Sequence, residues 1–141
     1  MKKTVLGLAA LTVLAFAACK KDDNQTNAQK IVGKWQAINK MNVVTNTSTS
    51  TVIRRDTTAY STDSYAEFTS NGYLYSYTKS VSGEARDTVQ YKVDGNNLIY
   101  VDPIQGNDTV VIKTLTGSSL ELYFKEMDGK NLWETTENLK K

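Results

Sequence analysis

Glycine-centred turn signals punctuate the second half of this chain at short intervals: Asn71-Gly72, Ser82-Gly83, Asp94-Gly95-Asn96, Gln105-Gly106-Asn107, Thr116-Gly117-Ser118 and Asp128-Gly129. Between them Tyr, Val, Thr and Ile dominate, and proline appears once, at Pro103. Such residues suit a pleated, half-buried surface, and such pairs suit tight hairpin loops. The spacing predicts strands near 34–43, 51–56, 64–69, 73–80, 87–93, 97–101, 108–115, 119–125 and 131–136. Eight or nine antiparallel strands joined by hairpins form a meander, and a meander removes its edges by closing. The expected fold is all-β: an antiparallel up-and-down barrel of about eight strands.

Alternation within the strands agrees. Val89, Tyr91 and Val93 form an apolar face against Thr88, Gln90 and Lys92; Leu120, Leu122 and Phe124 oppose Glu121, Tyr123 and Lys125. A period of two marks a strand buried on one face. Val110-Val111-Ile112 breaks it, as a strand covered on both sides would. At Asn71-Gly72 two registers are open. A two-residue loop pairs Phe68 with Tyr75 and Ala66 with Tyr77, placing Tyr73, Tyr75 and Tyr77 on the face of Phe68. A three-residue loop with glycine in a bulge pairs Phe68 with Leu74 and turns those tyrosines to the opposite face. One residue of slip thus exchanges an aromatic interior for an aliphatic one.

The N-terminus carries a different signal. Lys2 and Lys3 precede an almost unbroken apolar run from Val5 to Ala18, which ends at Cys19 and Lys20-Lys21-Asp22-Asp23-Asn24. A basic start, a short apolar segment and small residues before a cut describe a secretory signal peptide. The run falls short of the about 20 residues a membrane span needs. Phe16-Ala17-Ala18-Cys19 resembles the lipobox of bacterial lipoproteins, although Phe16 stands where leucine is usual. That resemblance implies removal of residues 1–18, acylation of Cys19 and a lipid-anchored N-terminus. Loss of Lys2 and Lys3 takes the 17 basic residues to 15, against 15 acidic ones, so the +2 of the whole chain belongs to the export signal. No basic surplus remains to favour nucleic acid. Polar residues 20–29 read as a flexible tether reaching at most about 35 Å. Residues 30–141 then make one folded domain. Within the tether Lys21-Asp22-Asp23 resembles a surface-display signal of some gram-negative lipoproteins, and a solvated charge run explains it as well. The expected location is the bacterial cell envelope, lipid-anchored at the outer membrane, on either its surface or its periplasmic face. Asn27 as N-cap and Gly33 past the end would frame one helical turn over 28–32.

Absences narrow the chemistry. The chain has no histidine, and its single cysteine is committed to lipid. Serine–histidine and cysteine–histidine hydrolases, disulfides and cysteine metal sites are therefore excluded. No phosphate-loop or Gly-x-Gly-x-x-Gly pattern occurs. The carboxylates Glu67, Glu84, Asp87, Glu121, Glu126 and Glu134 lie on faces or turns that read as solvated, and no two form a recognisable catalytic pair. A non-enzymatic protein with no metal and no cofactor is expected.

Gly33-Lys34-Trp35, opening the first strand, resembles the Gly-x-Trp signature of lipocalins. Phe68 before Asn71-Gly72, then Tyr91-Lys92-Val93-Asp94-Gly95-Asn96-Asn97-Leu98, then Ile112, Leu115, Leu120 and Leu122, resemble the lipocalin-like domains of small gram-negative lipoproteins. The likeness covers roughly residues 30 to 136. It implies a β-barrel with Trp35 packed at a closed end. Lipocalins proper also set an arginine from near the last strand over that tryptophan. No arginine follows Arg86 here, so either the feature is absent or a late lysine such as Lys125 substitutes. About eight strands enclose an interior just wide enough for side chains or one small ligand.

Eight tyrosines are the most suggestive binding feature. Tyr75, Tyr77, Tyr91 and Tyr100, with Phe68, are candidates to line a cavity mouth for a small apolar or amphipathic ligand. The alternative is that tyrosine simply fills a small barrel. Trp133 is expected to pack the last strand. Residues 45–64 read as a long Ser/Thr-rich loop with one edge strand, a flap over the mouth. Asp56-Thr57-Thr58, Asp87-Thr88-Val89 and Asp108-Thr109-Val110 resemble Asp-Thr-apolar glycosylation sites, with Thr57 the most accessible; Asp-Thr also marks a turn leading into a strand. Ligand binding leads, and a filled barrel contacting an envelope protein or glycan is the alternative.

Overall fold

The computed structural model describes residues 25–81, 83–104 and 106–141; the export segment, Cys19 and residues 20–24 of the tether lie outside the described residues. A short helix α1 (Asn27–Lys30) precedes nine strands: β1 (Gly33–Asn46), β2 (Thr51–Ala59), β3 (Tyr65–Phe68), β4 (Tyr73–Ser80), β5 (Gly83–Asp94), β6 (Asn97–Asp102), β7 (Gly106–Leu115), β8 (Ser119–Asp128) and β9 (Asn131–Lys140). All neighbours are antiparallel, and β9 pairs back onto β1 to close the wall. β2 and β3 share one edge of β1, β2 along Asn39–Asn46 and β3 along Gly33–Gln36. Nine strands therefore fill eight places around a barrel.

The closed end is built from the N-terminus inward. Thr26, not Asn27, is the N-cap of α1, because Thr26 and Gln29 have capping-box spacing and the Thr26 N–H donates to Gln29 Oε1 at 3.0 Å. Asn27 to Gln29, at the end of the stretch read as a tether, are helical. Asn27 is released to dock the helix, its Nδ2 donating to Gly95 O at 2.9 Å and Asn96 Oδ1 at 2.8 Å. Ile31 seals the floor with Trp35, Phe68, Leu98 and Leu120, all essentially inaccessible to solvent. Each such side chain contributes roughly 1.5–3 kcal/mol of burial. Trp35 donates from Nε1 to Ile31 O at 2.6 Å, satisfying a carbonyl at the helix end. Lys141 places Nζ 4.3 Å from the centre of the Trp35 ring and donates to Val32 O at 3.0 Å. The lysine over the tryptophan is thus Lys141, whereas Lys125 lies exposed on β8 opposite Glu134. Gly33 follows from the same packing: its φ is +124°, and a Cβ there would come within 3.2 Å of Lys141 Nζ.

One open question about the wall is decided, and two expectations are corrected. The β3–β4 hairpin adopts the bulged register, with Phe68 opposite Leu74 and Glu67 opposite Tyr75. Gly72 takes φ +83°, Thr69 closes the turn against Tyr73 O, and Tyr91 N–H donates to Gly72 O at 2.7 Å. Val110 and Ile112 are buried while Val111 is exposed, so β7 alternates like its neighbours. Residues 45–64 are mostly strand rather than loop. β2 runs the length of upper β1, and Ser64 beyond it is fully buried, accepting at its carbonyl from Ala37 N–H and at Oγ from Lys79 N–H.

The loops 47–50 and 129–130 meet at the opposite end, where Thr47 N–H donates to Lys130 O at 2.8 Å. With the β4–β5 and β6–β7 turns they rim the open mouth.

Candidate functional site

Inward-facing residues change character with height. Ala66, Leu74, Val89, Val110, Leu122 and Leu139 continue the apolar floor upward, and above them the wall turns polar. Two adjoining cavities occupy this transition. One, of about 280 Å³, is lined by Lys40, Tyr100, Asp108, Val110, Leu122, Phe124, Thr135 and Glu137. The other, of about 380 Å³, lies between Ala37, Leu74, Val89 and Leu139 below and Tyr60, Ser76, Thr78, Asp87 and Asp102 above. Tyr100, Asp108 and Glu137 belong to both.

Glu137 on β9 is the best-connected group. Tyr60 donates from its hydroxyl to Glu137 Oε1 at 2.9 Å, and Lys40 Nζ stands 3.9 Å from the same oxygen. Burial, together with the charge and hydrogen bond of Glu137, pushes the Tyr60 hydroxyl well above the usual tyrosine range. Tyr100 is shifted the same way, chiefly by burial and secondarily by Glu137. Both therefore remain neutral donors at physiological pH. Nearer the rim Thr135 donates to Asn42 Oδ1 at 3.0 Å, and Asn42 Nδ2 donates to Asp56 Oδ2 at 3.2 Å. This network ties β9, β1 and β2 together beside Val44 and Trp133, which face each other across β1 and β9.

Of the five residues expected at the cavity, only Tyr100 lines it. Phe68 and Tyr91 lie in the packed floor, edge to face at 5.1 Å, with the Tyr91 hydroxyl donating to Thr69 O at 2.8 Å. Tyr75 and Tyr77 point outward, as the bulged register dictates. Tyr77 sits 5.7 Å from Tyr65, with Arg86 over the Tyr77 ring and Lys34 over that of Tyr65. Thr57 is exposed, within β2 rather than in a loop. Among the described residues, no group of three or more histidine, cysteine or carboxylate side chains is placed to hold a metal ion.

A family profile described as a lipocalin-like domain matches residues 31–122, from the floor isoleucine beside α1 into β8. The chain belongs to the lipocalin-like domain family. Among solved structures it is similar to a bovine lipocalin allergen, Bos d 2, at 18% identity and a TM-score of 0.47, covering 82% of this chain and 75% of that one. No curated protein matches it.

Sequence reasoning passed over most of the groups that line this lipocalin-like barrel. Lys40, Tyr60, Asp87, Asp102, Asp108 and Glu137 went unremarked as cavity residues. The signal was present in the period of two. Asp87, Asp102, Asp108 and Glu137 each stand two residues, in the direction of the mouth, from an inward residue: Val89, Tyr100, Val110 and Leu139 respectively. Lys40 was hidden by an irregularity between Ala37 and Asn39 that shifts the inward positions of β1 by one.

Proposed function

We propose that this lipocalin-like domain is a non-enzymatic binding module that takes a small apolar or amphipathic molecule into the mouth of its barrel. One observation carries the reading. The floor is fully packed, yet above it two joined cavities keep apolar walls beside a few convergent polar groups, the usual make-up of a small-ligand site. Their size suits one compact ligand. Lipidation of Cys19 would hold the module at the envelope, as the lipobox resemblance suggests. Because α1 docks on the β5–β6 turn at the closed end, an anchored chain would turn that end to the membrane and its mouth away.

Native mass spectrometry of the full chain, enriched after incubation in envelope extract from its host, tests ligand binding. A discrete adduct released on denaturation is the expected result. A bare polypeptide mass would count against the reading.

A second reading has its own support. Tyr73 and Tyr75 are exposed on the outer wall beside the Tyr65–Tyr77 pair and the cations Lys34 and Arg86. Such an aromatic face suits contact with an envelope protein or a glycan.

A further inference from the structure

We propose that the barrel cavity selects a small amphipathic cation, with an ammonium head among the mouth carboxylates and an apolar body against Val110, Leu122 and Phe124. This rests on the small-ligand reading above and adds the charge that the ligand carries.

Charge is the first argument. The side chains lining the two cavities include four carboxylates, Asp87, Asp102, Asp108 and Glu137, and one ammonium, Lys40. The band arises on β5, β6, β7 and β9 by the same step of two from an inward residue, so it spans one side of the cavity wall rather than clustering on one turn. Lys40 meets Glu137 only at 3.9 Å and leaves the wall strongly negative. A ligand with a carboxylate head would meet like charge there.

Hydrogen-bonding capacity is the second, independent argument. The Tyr100 side chain is half-buried between the two cavities, and its hydroxyl has no hydrogen-bond partner among the described residues. A cavity-lining hydroxyl without a protein partner is open to a hydrogen bond from a ligand. The neighbouring groups ask for donors: Tyr60 and Lys40 both address Glu137 Oε1, which leaves Oε2 open, and the Asp108 carboxylate has no partner among the described residues. An ammonium supplies three N–H donors and no acceptor, which matches two carboxylates and a tyrosine oxygen. A neutral hydroxyl supplies one donor, and a carboxylate none.

The test titrates the full chain by calorimetry with three probes of one length: n-hexylammonium, 1-hexanol and hexanoate. Hexylammonium should bind about tenfold or more tighter than hexanol, since hydrogen bonds to charged groups exceed neutral ones by about that factor. Hexanoate should bind weakest. The double variant Asp108→Asn, Glu137→Gln should lose the preference for the cation and keep its affinity for hexanol, which shows that the barrel is intact. Lys40→Gln should tighten hexylammonium binding. Hexanol or hexanoate binding as tightly as hexylammonium would overturn the charge assignment and leave the small-ligand reading standing. No binding of any probe would overturn both.

Discussion

At the scale of single residues, the closed end depends on Trp35 more than on any other side chain. It is fully buried, donates to the helix-end carbonyl of Ile31 and lies under Lys141. Trp35→Ala should cost about 3–5 kcal/mol, the usual range for a buried tryptophan, measured as a lowered urea midpoint. Lys141→Gln should cost less than about 1 kcal/mol, because an exposed cation–π contact contributes little. Equal losses from the two would mean that the ammonium, not the indole, holds the floor. The tyrosine hydroxyls predict a pH limit at the same scale. Tyr123 is pushed up from 10.0 to about 12, first by its hydrogen bond to Glu134 and then by burial; Tyr60, Tyr91 and Tyr100 are raised too, each chiefly by burial. The folded state therefore holds these protons more tightly than the unfolded chain. That contribution is complete below pH 10 and is lost as pH climbs through the folded-state values. Urea midpoints should stay level to about pH 10 and then fall. Tyr123→Phe should make the alkaline fall shallower, and an unchanged slope would remove Tyr123 from the account.

At the scale of elements, the strands were legible because their punctuation is chemical: glycine-centred turns and a period of two fix where each strand starts, ends and faces. The β3–β4 register was not, since Asn71-Gly72 serves a two-residue loop and a bulged three-residue loop alike. The choice is made by a local contact, Thr69 with Tyr73, together with one distant in sequence, Gly72 O with Tyr91 N–H. β2 was read short, as an edge strand near 51–56, because almost every residue of Thr51–Ala59 is exposed and no apolar alternation marked where it ends. The register carries its own test. Leu74 faces the core, and Leu74→Ala should cost about 2–5 kcal/mol. Tyr75 faces solvent, and Tyr75→Thr should shift stability by no more than about 0.5 kcal/mol. The opposite ranking would restore the two-residue loop. Gly72→Ala, at φ +83° with Tyr91 O 3.2 Å from the new Cβ, should lose about 1–2 kcal/mol through left-handed strain.

At the scale of the whole molecule, the polar and packed ends give the barrel a direction. The sequence announced the barrel but placed the binding residues by residue type, favouring aromatics; height along each strand decides instead. Inward positions near Trp35 are floor, and inward positions nearer the rim are acidic on β5, β6, β7 and β9. That direction fixes the geometry of an anchored chain. A strand of ten residues such as β9 spans roughly 34 Å along its length, and tilt shortens the barrel to roughly 25 Å. The tether leaves from the floor, so with Cys19 acylated the β7–β8 turn should lie near the bilayer and the β8–β9 turn about one barrel height above it. Cys19 is the chain's only cysteine; once acylated it leaves an introduced thiol as the sole labelling site. A fluorophore at Ser118→Cys should be quenched by head-group quenchers in vesicles carrying the lipidated protein, and one at Lys130→Cys should be quenched much less. Equal quenching at both ends would mean that the tether lets the barrel tumble. Stronger quenching at Lys130→Cys would mean that the mouth faces the membrane, and a cationic ligand would then reach the acidic band from the lipid surface rather than from bulk solution.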